Sequence, residues 1–162
     1  MTGFRKALAL IALLAASGVE AQEITLGLGT TDYGEQGSDG AAFALEYKHR
    51  PFRQKRVMSL SFGAAATVSA EGDVFLGGGL WTRWEWPSGW FVDNSVMPGL
   101  YEEGTAGNDL GSTLQIRSLL GVGYRFDNGG ALSVALTHKS NAGLADDNPG
   151  ANAYLLRYHF SF

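Results

Sequence analysis

The sequence predicts an all-β protein: an eight-stranded antiparallel transmembrane β-barrel that follows an N-terminal signal peptide. Eight segments show alternating apolar and polar residues, and short turns between them alternate with longer loops. A strand of such a barrel faces lipid on one side and the barrel interior on the other, so this alternation is expected of it. The chain contains 23 glycines among 162 residues and no run of 18 apolar residues, which disfavours a helical membrane protein.

Residues 1–21 have the features of a secretory signal peptide. Arg5 and Lys6 form a short basic region, and an apolar run and a small-residue cleavage site follow it. The apolar run is too short to cross a bilayer as a helix. We therefore expect a signal peptide at 1–21 and an outer-membrane barrel at 22–162.

The composition argues against several classes of function. The formal net charge is −4 at pH 7, so a surface for nucleic acid is not expected. The chain has no cysteine, which rules out disulfides and a thiol nucleophile. We expect neither a metal nor another cofactor.

The predicted strands carry large apolar residues at alternate positions, with polar or small residues between them. In chain order they are 23–29, 41–50, 57–68, 74–86, 90–101, 112–126, 131–140 and 151–162. The apolar sets of the first four are Ile24, Leu26 and Leu28; Phe43, Leu45 and Tyr47; Met58, Leu60 and Phe62; and Leu76, Leu80 and Trp84.

The last four strands continue the pattern with one exception. The strand at 90–101 is the least regular, because Asp93, Asn94 and Pro98 interrupt it. The apolar sets of the other three are Leu114, Ile116, Leu120 and Val122; Leu132, Val134 and Leu136; and Tyr154, Leu156, Tyr158 and Phe160. Phe162 continues the last set at the end of its strand, and this alternation of aromatic or apolar residues resembles the terminal signal by which outer-membrane barrels are recognised for insertion. A soluble barrel has no reason to end in this way.

The connections between the strands alternate in length, again with one exception. The short ones are 50–56, 87–89 and 127–130, and the longer ones are 30–40, 102–111 and 141–150. The connection at 69–73 is short where a longer one is due. Outer-membrane barrels have short periplasmic turns and longer outer loops, so we expect the longer group to face outside.

The polar faces and the tryptophans indicate what each side of the barrel meets. The inward charged residues have both signs and can pair internally, so a permeation pore is not expected. They are Glu46, Lys48, Arg83, Glu85, Arg117, Arg125, Lys139 and Arg157. The four tryptophans, at 81, 84, 86 and 90, surround one short turn and are typical of an aromatic girdle at a membrane interface. The alternative is a soluble barrel with ordinary core tryptophans.

Three polar residues near the 141–150 loop form a candidate catalytic set on the lipid-facing side. His138 and Ser140 lie two apart on one strand and share a face, and Asn152 lies on the same face of the next strand. A neutral imidazole can accept the hydroxyl proton as serine attacks a carbonyl, and a third group must orient the ring. The side-chain oxygen of Asn152 can accept a hydrogen bond from the ring N–H.

The loop that begins at Asn141 could offer backbone N–H groups to an oxyanion, and Gly143 would let the backbone approach a substrate closely. The alternative is that His138 and Ser140 are interface residues near the lipid headgroups. Polar groups in contact with lipid are costly and tend to be functional, which favours catalysis. His49 and His159 lack such company, and we interpret both as structural.

Three short runs in the last third of the chain carry a family resemblance. They are Gly-Val-Gly-Tyr-Arg-Phe-Asp-Asn-Gly at 121–129, His-Lys-Ser-Asn-Ala-Gly-Leu at 138–144 and Asn-Pro-Gly at 148–150. These runs resemble the lipid A 3-O-deacylase (PagL-type) enzymes of the outer membrane. The resemblance implies a nucleophile at Ser140, a base at His138, and an oxyanion hole near Asn141 and Gly143.

Position 152 departs from the family pattern, which places a glutamate twelve residues after the serine, where this chain has Asn152. An amide orients the imidazole but does not stabilise its positive charge. The same positions are also similar to outer-membrane phospholipase A, in which an asparagine follows the His-x-Ser-Asn run at this spacing. Asn152 is therefore compatible with an active site, and Asp146 and Asp147 are alternative acids on the loop.

The sequence therefore predicts a serine esterase in the bacterial outer membrane. The resemblance implies that it removes an ester-linked acyl chain from lipid A. The alternatives are an outer-membrane phospholipase and a non-enzymatic barrel with a structural or adhesive role. The expected partners are lipopolysaccharide, through its lipid A, and outer-membrane lipid; no nucleic acid is expected, and a homodimer is left open.

Overall fold

The computed structural model describes residues 23–34 and 37–161, so the predicted signal peptide and the terminal Phe162 lie outside the described residues. The strands are β1 (Glu23–Asp32), β2 (Ala41–Lys48), β3 (Arg53–Lys55), β4 (Met58–Ser69), β5 (Val74–Glu85), β6 (Trp90–Glu102), β7 (Leu114–Arg125), β8 (Ala131–Ser140) and β9 (Ala151–Ser161). In these ranges, no helix is both long and apolar enough to cross a membrane.

Eight long strands close into an antiparallel barrel, as the sequence predicts. Consecutive strands pair from β4 to β9, β1 pairs with both β2 and β9, and β2 pairs with β4. The first and last strands thus meet, and the long strands leave no open edge to recruit another chain. β3 pairs only with the start of β4, so the basic segment 50–56, expected to be a simple turn, contains a three-residue strand.

The outer wall of the barrel is apolar. Large hydrophobic side chains stand exposed along every long strand, and several are more than half exposed, including Leu100 at 62 %, Val134 at 61 % and Phe62 at 59 %. A continuous apolar band of this kind is unfavourable in water and is the surface that a transmembrane barrel presents to lipid.

The interior is filled by paired charges. Arg83 Nη1 lies 2.6 Å from Glu23 Oε2, and Arg83 Nε lies 2.6 Å from Asp93 Oδ1. Nearer the end of the barrel that carries the longer loops, Glu46 accepts hydrogen bonds from both Arg117 and Arg157. The prediction that the inward charges form ion pairs is confirmed for seven of the eight residues, and the shared carboxylates tie strands together across the lumen. The exception is Lys139, whose Nζ lies over the ring of Tyr101 and forms no ion pair with the described residues.

Two expectations about inward and outward residues are wrong. Asp93 does not interrupt its strand: β6 is continuous, and Asp93 is fully buried against Arg83 on the neighbouring β5. Trp81 does not belong to an outer girdle, because it points inward and packs with Ala65 and Met97. Trp81 and Trp84 are three residues apart on β5, so their side chains point to opposite faces of the sheet.

A polar cluster closes the end of the barrel that carries the longer loops. The Asp73 carboxylate accepts hydrogen bonds from Tyr33 Oη, Ser69 Oγ, Asn108 Nδ2 and the Gly104 N–H, at 2.7–2.9 Å. Burial alone would raise the pKa of Asp73, but these bonds outweigh burial and hold that pKa below its ordinary value. The short 69–73 connection therefore turns inward and anchors the neighbouring loop.

Candidate active site

The centre of the candidate site is a hydrogen bond between neighbouring strands. His138 on β8 and Asn152 on β9 are directly opposite in the register, and both side chains are on the outer face. His138 Nδ1 lies 2.9 Å from Asn152 Oδ1. With the proton on Nδ1, the ring donates to the amide oxygen and its Nε2 remains free to accept a proton.

Ser140 lies on the same outer face, two residues beyond His138 and one step nearer the loop end. It is half-buried and pairs with Ile116 on β7. Its hydroxyl makes no hydrogen bond to any residue within 23–34 or 37–161. The strand thus presents a hydroxyl beside an oriented imidazole, and a serine nucleophile needs both.

The loop after Ser140 is organised by Asn141, which is fully buried. Asn141 Nδ2 donates to the carbonyls of Leu110 and Asp147, and its Oδ1 accepts from the Gly143 N–H at 2.9 Å. The Asn141 N–H donates to Asn148 Oδ1 at 2.9 Å. The two N–H groups expected to meet an oxyanion are thus engaged inside the loop, and that role stays a prediction.

Gly150 is a residue of this site that the sequence analysis did not single out for a role. It has a φ of +72°, and a Cβ at this position would lie 3.0 Å from Cε1 of His138. The imidazole therefore rests against the bare backbone of Gly150. A Pro-Gly pair just before a strand is a recognisable turn signal, but contact with the ring depends on how the loop folds back.

The loop acids do not reach the imidazole. Asp146 and Asp147 are exposed, and neither carboxylate takes part in a hydrogen bond or ion pair with the described part of the chain. Asp147 contributes its backbone carbonyl to Asn141. Of the alternatives left open by the sequence, Asn152 is the side chain that contacts His138. The described residues also contain no group of three or more His, Asp or Glu suited to a metal ion.

An open apolar groove runs along the outer wall beside the candidate site. Its volume is ≈ 580 Å³. The lining side chains come from four strands and include Leu28, Leu120, Val134, Leu136, Tyr154 and Leu156. Leu136 and Tyr154 are two residues from His138 and Asn152 respectively, so the groove and the imidazole lie on the same wall, two residues apart along β8.

A second serine–histidine–carboxylate set lies inside the barrel. Ser133 Oγ is 2.7 Å from His159 Nε2, and His159 Nδ1 is 3.0 Å from Glu23 Oε1. His159 thus has a serine and a carboxylate as hydrogen-bond partners, which were not expected from the sequence. All three residues are at most 3 % exposed, and Arg83 pairs with the same Glu23. No ester can reach this serine, so the set is structural, as expected for His159.

Comparison with known proteins agrees with this fold. The family model described as lipid A 3-O-deacylase (PagL) matches residues 25–161. The lipid A deacylase PagL of Pseudomonas aeruginosa is 42 % identical over 50 residues, a segment that covers 31 % of this chain and 29 % of that relative. The matched segment therefore spans less than a third of the relative's length.

Two solved structures share the fold. The crystal structure of the outer membrane enzyme PagL matches with a TM-score of 0.69 and 23 % identity, over 86 % of this chain and 99 % of that one. The crystal structure of Neisserial surface protein A matches with a TM-score of 0.54 and 10 % identity, over 86 % of this chain and 95 % of that one. The fold is that of an outer-membrane β-barrel, and the family match over 25–161 shows that the chain belongs to the lipid A 3-O-deacylase (PagL) family.

Proposed function

We propose that this protein is an outer-membrane serine esterase that removes an ester-linked acyl chain from lipid A. The observation that carries the proposal is the 2.9 Å contact between His138 Nδ1 and Asn152 Oδ1, two residues from Ser140 on the lipid-facing wall. Membership in the lipid A 3-O-deacylase family supports the choice of substrate.

The proposed reaction begins with the orientation of the imidazole. Asn152 holds the Nδ1–H, so Nε2 accepts the proton from Ser140 as its Oγ attacks the ester carbonyl. The protonated imidazole then gives that proton to the departing sugar oxygen as the ester C–O bond breaks, so the sugar leaves as an alcohol and the acyl group stays on Ser140. In the second half of the cycle His138 takes a proton from water, the hydroxide attacks the acyl carbon, and the proton returns to Ser140 Oγ as the fatty acid leaves.

The apolar groove supports a lipid substrate that arrives from the side. It lies on the lipid-facing wall, and its lining residues Leu136 and Tyr154 are two residues from His138 and Asn152. An acyl chain can therefore lie along Leu136 and Tyr154 while its ester meets Ser140. The lumen is filled by ion pairs and closed by the Asp73 cluster, so the substrate has no route through the barrel. Lateral entry from the outer leaflet fits both facts.

A phospholipase is the second candidate, and Asn152 is the observation that favours it. An asparagine at this spacing is similar to outer-membrane phospholipase A, whereas the lipid A deacylase pattern has a glutamate. Both reactions use the same attack on an ester carbonyl, so the catalytic residues would be the same and only the lipid headgroup would differ.

The test is to fold the purified wild type and Ser140→Ala in vesicles that contain lipid A, and separately in phospholipid vesicles. Mass spectrometry of the products should show a fatty acid released from lipid A by the wild type alone. Release from phospholipid alone would replace lipid A deacylation by the second candidate. Wild type that is folded but inactive on both lipids would favour a structural barrel.

A further inference from the structure

We propose that Asp32 is a positioning residue that supplies, through Asn152, the negative charge that the amide cannot itself offer to His138. This inference rests on the proposed function. The family pattern places a carboxylate directly against the imidazole, and this chain has an amide there. A carboxylate on β1, the strand next to β9, would supply a negative charge that acts on His138 through the amide of Asn152.

The barrel closure places Asp32 next to Asn152. Asp32 is the register partner of Asn152 in the β1–β9 pair, and Asn152 is the register partner of His138 in the β8–β9 pair. The three residues therefore form one row across three strands on the outer face. Side chains directly opposite in an antiparallel pair have Cβ atoms about 4.5–5.5 Å apart, within reach of a carboxylate–amide hydrogen bond.

The Asp32 carboxylate leans over β9. Tyr154 Oη donates to Asp32 Oδ2 at 3.5 Å, and Tyr154 is two residues beyond Asn152 on the same face of β9. Asp32 Oδ1 accepts the Gly34 N–H at 3.1 Å, which holds the other oxygen at the end of β1. The half-buried carboxylate thus leans toward β9, the strand that carries Asn152, and its two oxygens accept hydrogen bonds from Tyr154 and Gly34.

The amide has the atoms needed to connect the two groups. Its oxygen accepts from His138, so its NH₂ group, with two donors, lies on the other branch of the planar amide. When His138 accepts the serine proton, its bond to the amide oxygen becomes charge-assisted and polarises the NH₂ group. A carboxylate that accepts from that NH₂ group is then bound more tightly in the transition state than before it.

Asp32 forms no ion pair with a positively charged side chain of residues 23–34 or 37–161. Among the residues that the structure describes, no Lys, Arg or His nitrogen lies within the 4.0 Å of an ion pair with its carboxylate. Near the loop end of the barrel, the titratable side chains on the described outer faces of β1, β7, β8 and β9 are Asp32, His138 and Tyr154. The charge of Asp32 is thus available to the row.

The expected size of the effect follows from distance. Two strand spacings separate Asp32 from His138, about 10 Å. Two unit charges at that distance, with an effective dielectric constant of about 20, interact strongly enough to change a rate about tenfold. Asp32→Asn should therefore lower kcat about tenfold and leave KM unchanged, because the charge matters only once the imidazole is protonated.

The matched control is Glu102→Gln, which removes an exposed carboxylate at the loop end of β6, away from the row. It should leave kcat unchanged. Heat-modifiable gel mobility checks that each variant folds. Asp32→Thr, which suits a strand, carries the same expectation and serves if the asparagine variant does not fold.

A double-mutant cycle distinguishes this role from a structural one. In an Asn152→Glu background a carboxylate contacts His138 directly, so Asp32→Asn should no longer lower kcat. An equal loss in both backgrounds, or full activity of Asp32→Asn beside an active wild type and an inactive Ser140→Ala, would overturn the inference and leave the proposed function standing. A folded wild type that cleaves neither lipid overturns both.

Discussion

The imidazole of His138 rests directly on the backbone of Gly150, where a Cβ would come within 3.0 Å of Cε1 and 3.5 Å of Nε2. The contact sets the plane of the ring from one side, while Asn152 holds Nδ1 from another. A side chain at Gly150 would displace the ring.

Gly150→Ala should therefore impair catalysis beyond its effect on folding. The left-handed φ of +72° adds strain for any residue with a Cβ, of about 1–2 kcal/mol. Gly107→Ala is the matched control, because Gly107 has a φ of +69° and nothing within 4 Å of the added Cβ. Both variants should lose similar stability against urea in vesicles, and only Gly150→Ala should lose activity, by about a hundredfold. Equal activity of the two would show that the ring does not depend on Gly150.

We expect opposite effects from substitutions in the exposed set, Ser140 and His138, and in the buried set, Ser133 and His159. Ser140→Ala should abolish fatty acid release and leave urea stability unchanged. Ser133→Ala should retain activity and lose about 1–3 kcal/mol of stability, because its hydroxyl contacts His159 and Arg157 inside the barrel. Activity assays and urea titrations on both variants check this, and an inactive but stable Ser133→Ala would move the nucleophile to the interior.

Substitutions at Asn152 test the third member of the site. Asn152→Ala should lower the rate by roughly 10²–10⁴, since the ring then loses the partner that selects its tautomer. Asn152→Glu should keep or raise activity, because a carboxylate also stabilises the imidazolium. Asp146→Ala and Asp147→Ala should lower the rate only slightly, because both carboxylates are exposed and neither contacts His138. A fully active Asn152→Ala beside an inactive Asp variant would assign the role to the loop.

The orientation of the barrel can be tested by labelling. Ser38 lies in a connection at the end of the barrel that also carries the His138 site, and Asp127 lies in a short turn at the opposite end. A membrane-impermeant thiol reagent should label Ser38→Cys in intact cells and should label Asp127→Cys only after lysis. The chain has no natural cysteine to interfere. Labelling at position 127 alone would invert the orientation and place the site in the inner leaflet.

Some side-chain contacts could not be predicted from the sequence, because they depend on which residue of a neighbouring strand or loop comes close. Asp93 looks like an interruption of a strand, because local alternation does not show that Arg83 stands beside it across the β5–β6 pair. The inward direction of Trp81, by contrast, is encoded in its position relative to Trp84, and the cluster of tryptophans obscured it. Gly150 carries a turn signal, but its contact with His138 depends on the fold of the whole loop.

The alternation of side chains by itself determined the eight strands, their lipid-facing and interior faces, and the shared face of His138, Ser140 and Asn152. These features follow from a period of two residues, which is a local property of an extended chain. Only the closed barrel decided that Glu23 meets His159, 136 residues away, and that Asp32 stands beside Asn152. Both contacts arise because β1 pairs with β9, and the register of that pair is set by closure of the whole sheet and not by any local pattern.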